Sequence, residues 1–411
     1  LVNDAGATML MLAAHGNPLG VVRLLLGVSG VRPLLGSRES GYTPLYLASR
    51  CGYAGVVAEL ICKIQEIHPA FPGVIDQIER KGGTTPLYIA AQNGHYHVVS
   101  MLLRAGAAAN QANREGTTAL YVAARKGHSR VVSALLGSAS IMLNQANRRG
   151  ASALFVASRE GHHEVVALLL HENGVAVNQA NKKGATALYV ASQNGHRKVV
   201  ARLLRQKGIA VNQTAAGSCT SLFIAAQFGH IEVVSLFLQN MTKLGVAVDQ
   251  ATEGGCTPLY AACQGGYIEI ARMLLRLTEN VNRADDDGIT PLFVASQGGH
   301  IEIVSMLLHH KAIDVCRASH SELLSPLFIA SENGHRNVVR KLLAHAAIDV
   351  NQIRYDGWSP LMVACAENHP RVVSALLNYI GLEVNHAGEL GETAVFIASQ
   401  RNHSHIVAML L

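Results

Sequence analysis

Short apolar stripes and polar turns alternate along the chain with a fixed cadence. A hydroxyl residue is followed at helical spacing by a leucine and a small alanine, as in Thr85, Leu87 and Ala90. A Gly-His pair such as Gly94-His95 interrupts the pattern, and a second stripe follows, carrying Val98, Val99, Leu102 and Leu103. Each cycle predicts two short helices and a turn. Indexed on the hydroxyl, the series is Thr8, Thr43, Thr85, Thr118, Ser152, Thr186, Thr220, Thr257, Thr290, Ser325, Ser359 and Thr393, and nine of its eleven intervals are 33 to 35 residues. Twelve units, the last incomplete, fill the 411 residues. Helices this short do not stand alone. Stacking the units creates one continuous core, so the expected fold class is an all-α solenoid with an elongated outline.

Each unit carries its own punctuation. Gly precedes the hydroxyl by two residues, as at Gly83, Gly116, Gly150 and Gly184. The hydroxyl is suited to cap a helix, and Pro44, Pro86, Pro258, Pro291, Pro326 and Pro360 follow it at the first helical position. Two intervals are long. The first has about eight extra residues within Ile61 to Gly82, where Phe71 lies between Pro69 and Pro72, and 61–82 is expected to be a lengthened inter-repeat loop. The second surplus lies near Asn240 to Leu244 and is expected to lengthen a second helix or its exit. Leu323 and Ser218 replace the usual glycine, so their junctions are expected to differ locally.

The run Gly83-Thr84-Thr85-Pro86-Leu87-Tyr88-Ile89-Ala90-Ala91, with Gly94-His95, Val98-Val99 and Leu102-Leu103, closely resembles the ankyrin repeat. The resemblance covers nearly the whole chain. It implies a curved stack of helix pairs with projecting hairpin-like turns, in which turns and first helices line a concave face that binds other proteins. The expected organisation is a continuous array over 1–411. Both ends read as truncated, because Leu1-Val2-Asn3-Asp4 is neither an initiator methionine nor a signal peptide and Ala408-Met409-Leu410-Leu411 stops inside an apolar pattern.

One column departs from the resembled family, which usually has His three residues after the Thr. Here it holds Tyr46, Tyr88, Tyr121, Phe155, Tyr189, Phe223, Tyr260, Phe293, Phe328 and Phe396, with Met11 and Met362 in the other two units. Phe cannot replace a hydrogen bond, so a buried aromatic ladder is expected. A second column holds Asn110, Asn144, Asn178, Asn212, Asn282, Asn351 and Asn385, with Asp249 in one unit. In the resembled family such asparagines can be hydroxylated. The simpler expectation is a turn residue bonding its own backbone.

The histidines of the Gly-His column recur one repeat apart, too far to share a metal ion, and are expected to be structural. There is no phosphate-binding loop, no dinucleotide fingerprint and no H-E-x-x-H run, and no nucleophile has a base to meet. The segment is therefore expected to be non-catalytic, with no cofactor, metal or small-molecule substrate. Seven cysteines without a C-x-x-C pair suggest a reducing compartment, and an intracellular, cytoplasmic monomer is expected; a nuclear location or a role as a secreted effector stays open. No apolar stretch is suited to span a membrane.

The net charge of +6 is dilute and does not by itself imply nucleic acid. The charge becomes informative at five columns: four, three and one residues before the hydroxyl, and seven and eight after it. Arg114, Arg125, Lys126, Arg148, Arg149, Arg159, Lys182 and Lys183, broken by Glu115 and Glu160, make three consecutive units basic. Asp286, Asp287, Glu322 and Glu332, with Glu253, Asp356, Glu367, Glu389 and Glu392, make later units acidic. A protein partner with an acidic segment is expected at the basic units. Trp358 with Tyr355 is expected either to anchor a partner or to cover a junction. The alternatives left open are a region of a larger enzyme or channel and a nucleic-acid-binding module.

Overall fold

The computed structural model describes residues 7–69 and 72–411. Phe71 and the opening Leu1-Val2-Asn3-Asp4 lie outside the described residues. Among the described residues the protein is built of paired helices, with an isolated antiparallel bridge between Ala387 and Thr393. The chain divides into two compact units, Leu1–Ala210 and Val211–Leu411.

The hydroxyl residue starts each first helix. Thr118 Oγ1 accepts from Tyr121 N at 3.2 Å and Ser152 Oγ from Phe155 N at 3.3 Å, satisfying a donor that the helix leaves open. Prolines at the first position remove another N–H that the helix would leave open, and fix φ for the helix. The first helices are then buried almost all round. In Ala119–Lys126 every residue from Ala119 to Ala124 is buried. A helix sandwiched this way needs small residues, and Ala48, Ala90, Ala123 and Ala157 are fully buried where neighbouring first helices approach. Second helices bury one stripe only, such as Val131, Val132 and Leu135 of Ser129–Leu136.

The Gly-His pair joins consecutive repeats. Gly127 ends its helix in the left-handed region, at φ +74°. The ring of His162, from the next repeat, lies against it, and its Nε2 faces the carbonyl oxygen of Arg125 at 3.0 Å. The same bond links His95 to Arg50, His128 to Gln92 and His196 to Arg159 in the first unit, and His335 to Gln297 and His369 to Glu332 in the second. Each imidazole thus satisfies a carbonyl that the end of a helix leaves without a donor.

Two further ladders run parallel to it. Asn144 donates from Nδ2 to Gly174 O and accepts at Oδ1 from Ala176 N, both at 2.8 Å. Asn110, Asn178, Asn212, Asn282 and Asn351 make the same pair of bonds. These asparagines bind the backbone of the next repeat's turn, which corrects the expectation that they bond their own. Asp249 accepts from Thr278 and Glu279 N at the matching position, and Cys316 pairs with Ala347 O and Asp349 N. The aromatic column is buried from Tyr46 to Phe328, with Tyr189 half-buried, while Phe396 is 57% exposed. Its tyrosines reach the following turn through their hydroxyls: Tyr46 to Thr84, Tyr88 to Thr117 and Tyr260 to Asp285.

The surplus residues are placed differently from the loop expected over 61–82. The second helix of that repeat runs Ala54–Ile67 because Ile61 and Ile64 continue its buried stripe. A 3-10 turn, Pro72–Asp76, follows, and the Asp76 carboxylate accepts from Ala108 N at 3.0 Å. The later surplus forms the short helix Met241–Leu244 after Ile231–Gln239. Leu323 and Ser218 adopt φ +54° and +56°, so these junctions keep the left-handed turn without glycine.

Gly127→Ala is expected to destabilise the chain beyond the roughly 1–2 kcal/mol of a left-handed alanine, because its Cβ would lie 2.7 Å from the His162 ring. Adding His162→Ala should recover part of the loss. Urea melts of both single variants and the double variant test this; strictly additive losses would show that ring and glycine do not compete for space. Phe155→Ala should cost about 3–5 kcal/mol, and Phe396→Ala clearly less.

Candidate partner-binding site

In the three basic repeats the turn before the hydroxyl is closed from inside by an asparagine side chain. Asn147 Oδ1 accepts from Arg149 N at 2.9 Å and Ala151 N at 3.0 Å, and Asn113 and Asn181 do the same in their turns. Neighbouring turn tips are then joined by one backbone bond per junction. Arg114 N donates to Gly82 O at 2.9 Å, Arg148 N to Glu115 O at 3.0 Å and Lys182 N to Arg149 O at 3.0 Å. These bonds bring Arg114, Arg148 and Lys182 into one row, with Glu115, Arg149 and Lys183 beside them, all exposed.

Arg125, Lys126 and Arg159 are exposed at the C-terminal turns of their first helices, where positive charge complements the helix dipole. Arg159 pairs with Glu160 at 2.7 Å in the open, an ion pair that adds little to stability. The column one residue before the hydroxyl is not part of this surface. Thr117, Ala151 and Ala185 are buried beneath the closed turn, and Thr117 Oγ1 lies 3.1 Å from Tyr88 Oη.

In the second unit, Asp286, Asp287 and Glu322 are exposed on turn tips joined the same way. Asp286 N donates to Gly254 O, His320 N to Asp287 O and Tyr355 N to Glu322 O. Glu332 is half-buried, and that burial pushes its carboxyl above the ordinary range; Glu367 and Glu322 add to the shift while Arg354 opposes it. Tyr355 is 59% exposed. Trp358 is half-buried, and its Nε1 donates to Glu392 Oε1 of the next repeat at 2.8 Å, which holds the Glu392 carboxyl below its usual range.

Arg354 escaped the sequence reading because it lies five residues before the hydroxyl, outside the chosen columns. Its guanidinium lies 5.1 Å from the Trp358 ring, 5.3 Å from Phe328 and 5.8 Å from Tyr355. Its Nε donates to Asp356 Oδ1 at 2.8 Å, and this bond holds the Asp356 carboxyl below its ordinary value. The available signal was an arginine just before Tyr355 and four residues before Trp358, at a position where other turns carry Asn147, Asn181 or Asp285.

A family model described as Ankyrin repeats (3 copies) matches residues 64–145, 138–215, 211–285, 277–354 and 327–411. The chain belongs to the ankyrin repeat family. No curated protein matches it. Ankyrin repeats generally serve as protein-interaction scaffolds. Among the described residues of this ankyrin protein, no group of three or more His, Cys, Asp and Glu side chains is placed to hold a metal ion. No helix among them is long and apolar enough to cross a membrane. The seven thiols are unpaired.

Arg354→Gln is expected to lower stability near neutral pH. The folded-state pKa of Asp356 is depressed, so its contribution is full above the unfolded value of about 3.9 and is lost as pH falls through the lower folded value. Thermal melts should show a gap between wild type and variant at about pH 7 that narrows at about pH 2. An unchanged gap in acid would assign the effect to the ring contacts alone.

Proposed function

We propose that this ankyrin chain is a non-catalytic protein-interaction scaffold whose basic turn tips take an acidic segment of a partner protein. The single observation that carries the reading is the exposed row Arg114, Arg148 and Lys182, held in register by one backbone bond per junction. Arg149 and Lys183 widen the row, and Arg125 and Lys126 extend it onto a first helix. Turns and first helices together form the proposed groove. Glu115 and the paired Arg159–Glu160 interrupt the positive field, which favours a patterned protein over a uniform phosphate backbone. A row of exposed charges acts mainly on encounter, raising association rate and selectivity more than affinity.

The test uses a captured acidic partner and measures association rate against salt. Reversing Arg148, Arg149, Lys182 and Lys183 to Glu is expected to slow association at least tenfold at low salt and to flatten the salt slope, with the helical spectrum unchanged. Reversing Asp286, Asp287, Glu322 and Glu332 to Lys should leave that contact nearly intact. A basic-row variant that matches wild type in rate and slope would reduce the row to solvated surface.

A further inference from the structure

The turn of the second unit that carries Leu323 is irregular in a specific way. Most turns place glycine in the left-handed backbone two residues before the hydroxyl, as at Gly255, Gly288, Gly357 and Gly391. Leu323 adopts the same conformation at φ +54°, although a branched side chain disfavours it, and the leucine is 49% exposed. Burial therefore does not account for a leucine at this strained site. The tip is tied to the next by the bond from Tyr355 N to Glu322 O at 3.2 Å, so Leu323 and the exposed Tyr355 belong to adjoining tips. The following tip, joined by Glu389 N to Asp356 O, presents Leu390 at 93% exposure. Three successive tips thus carry a large apolar side chain into solvent, where the basic row of the first unit carries Arg and Lys.

The carboxylates exposed on these tips outnumber the cations. Glu322 precedes Leu323, Asp286 and Asp287 occupy the previous tip, and Glu389 precedes Leu390. The nearby cation, Arg354, is bonded to Asp356 and lies among aromatic rings. Glu332, on the first helix below, adds a further carboxylate, with Arg354, Glu367 and Glu322 all acting on it. An occupant must therefore bring apolar surface and positive charge together.

We propose that the tips around Leu323 and Tyr355 form a docking surface for a cationic segment, a partner stretch with Lys or Arg on both sides of a large apolar residue. The reading rests on the scaffold function above but concerns a surface of opposite sign, so the two fail separately. Apolar and aromatic anchors supply most of the affinity at such surfaces, while the flanking charges select the partner and speed its arrival.

The test begins with short random peptides displayed on phage and selected on the full chain. Peptides with Lys or Arg flanking Leu, Phe or Trp are expected among those enriched. One such peptide, labelled with fluorescein, is then titrated against wild type, Leu323→Gly, Tyr355→Ala and the basic-row reversal. Leu323→Gly should melt at or above the wild-type temperature, because glycine is the residue the other turns use there, yet bind at least about fivefold more weakly. Tyr355→Ala should show a similar loss, and the basic-row reversal none. A twin peptide with its apolar residues changed to Ser should bind wild type about tenfold more weakly. Absence of cationic-apolar peptides from the selected set, equal binding by Leu323→Gly, or equal binding of the serine twin would each overturn the proposal.

Discussion

The bond from an imidazole nitrogen to a carbonyl oxygen one repeat earlier is the contact on which the rest of the stack depends. A first helix of seven or eight residues ends with carbonyls that have no helical donor. Gly127 turns the chain away in a backbone conformation that leaves the Arg125 carbonyl accessible, and removal of a side chain there makes room for the His162 ring. Glycine and histidine are thus two halves of one joint that lie in different repeats. The joint closes only when repeats are in register, which explains why insertions fall elsewhere. Tyr267 fills the slot against Gly229 in one repeat, so ring shape is kept where the residue type changes.

This joint sets the geometry of the turn tips without involving their side chains. The asparagine ladder and the tip-to-tip bonds are made by half-buried amides and by backbone groups, as in Asn144 with Gly174 and Ala176, or Lys182 N with Arg149 O. Side chains at the tips are left to vary at small cost to folding. That separation lets one unit carry Arg148 and Lys182 where the other carries Asp286 and Glu389 on the same scaffold. Trp358 and Arg354 are the exception. Their contacts with Phe328 of the preceding repeat, Asp356 of their own and Glu392 of the next fasten two junctions through side chains, so changes there alter stability along with the surface.

The parts of this architecture that recur in every repeat were legible from sequence. Thr118 and Ser152 announce caps, and Gly127-His128 announces the end of a helix, because each acts through local chemistry. What depends on the neighbouring repeat was less legible. Asn144 looks like a turn residue that serves itself, but its partners are about thirty residues further on. Thr117 reads as a surface position, although the closed turn above it buries it. The extra residues after Ile61 read as a loop because Pro69 and Pro72 dominate the composition, whereas Ile61 and Ile64 extend a helix. For the binding surface, residue type and column located the charged tips, while the pairing of Arg159 with Glu160 and of Arg354 with Asp356 required the third dimension.

The small net charge hides this arrangement because opposite signs occupy equivalent columns in different units. Exposed tips interact with a distant partner through water and salt, so what matters is the charge within about 8–10 Å of the contact. Over that range a partner at Arg148 and Lys182 meets a positive surface, and a partner at Asp287 and Glu322 meets a negative one. Second helices add basic residues of their own, among them Arg336, Arg340 and Lys341. They lie on the helices behind the tips and raise the total charge without entering the tip row. A repeat protein of this kind therefore presents its local charge, unit by unit, and the whole-chain value carries almost no information about which partner it selects.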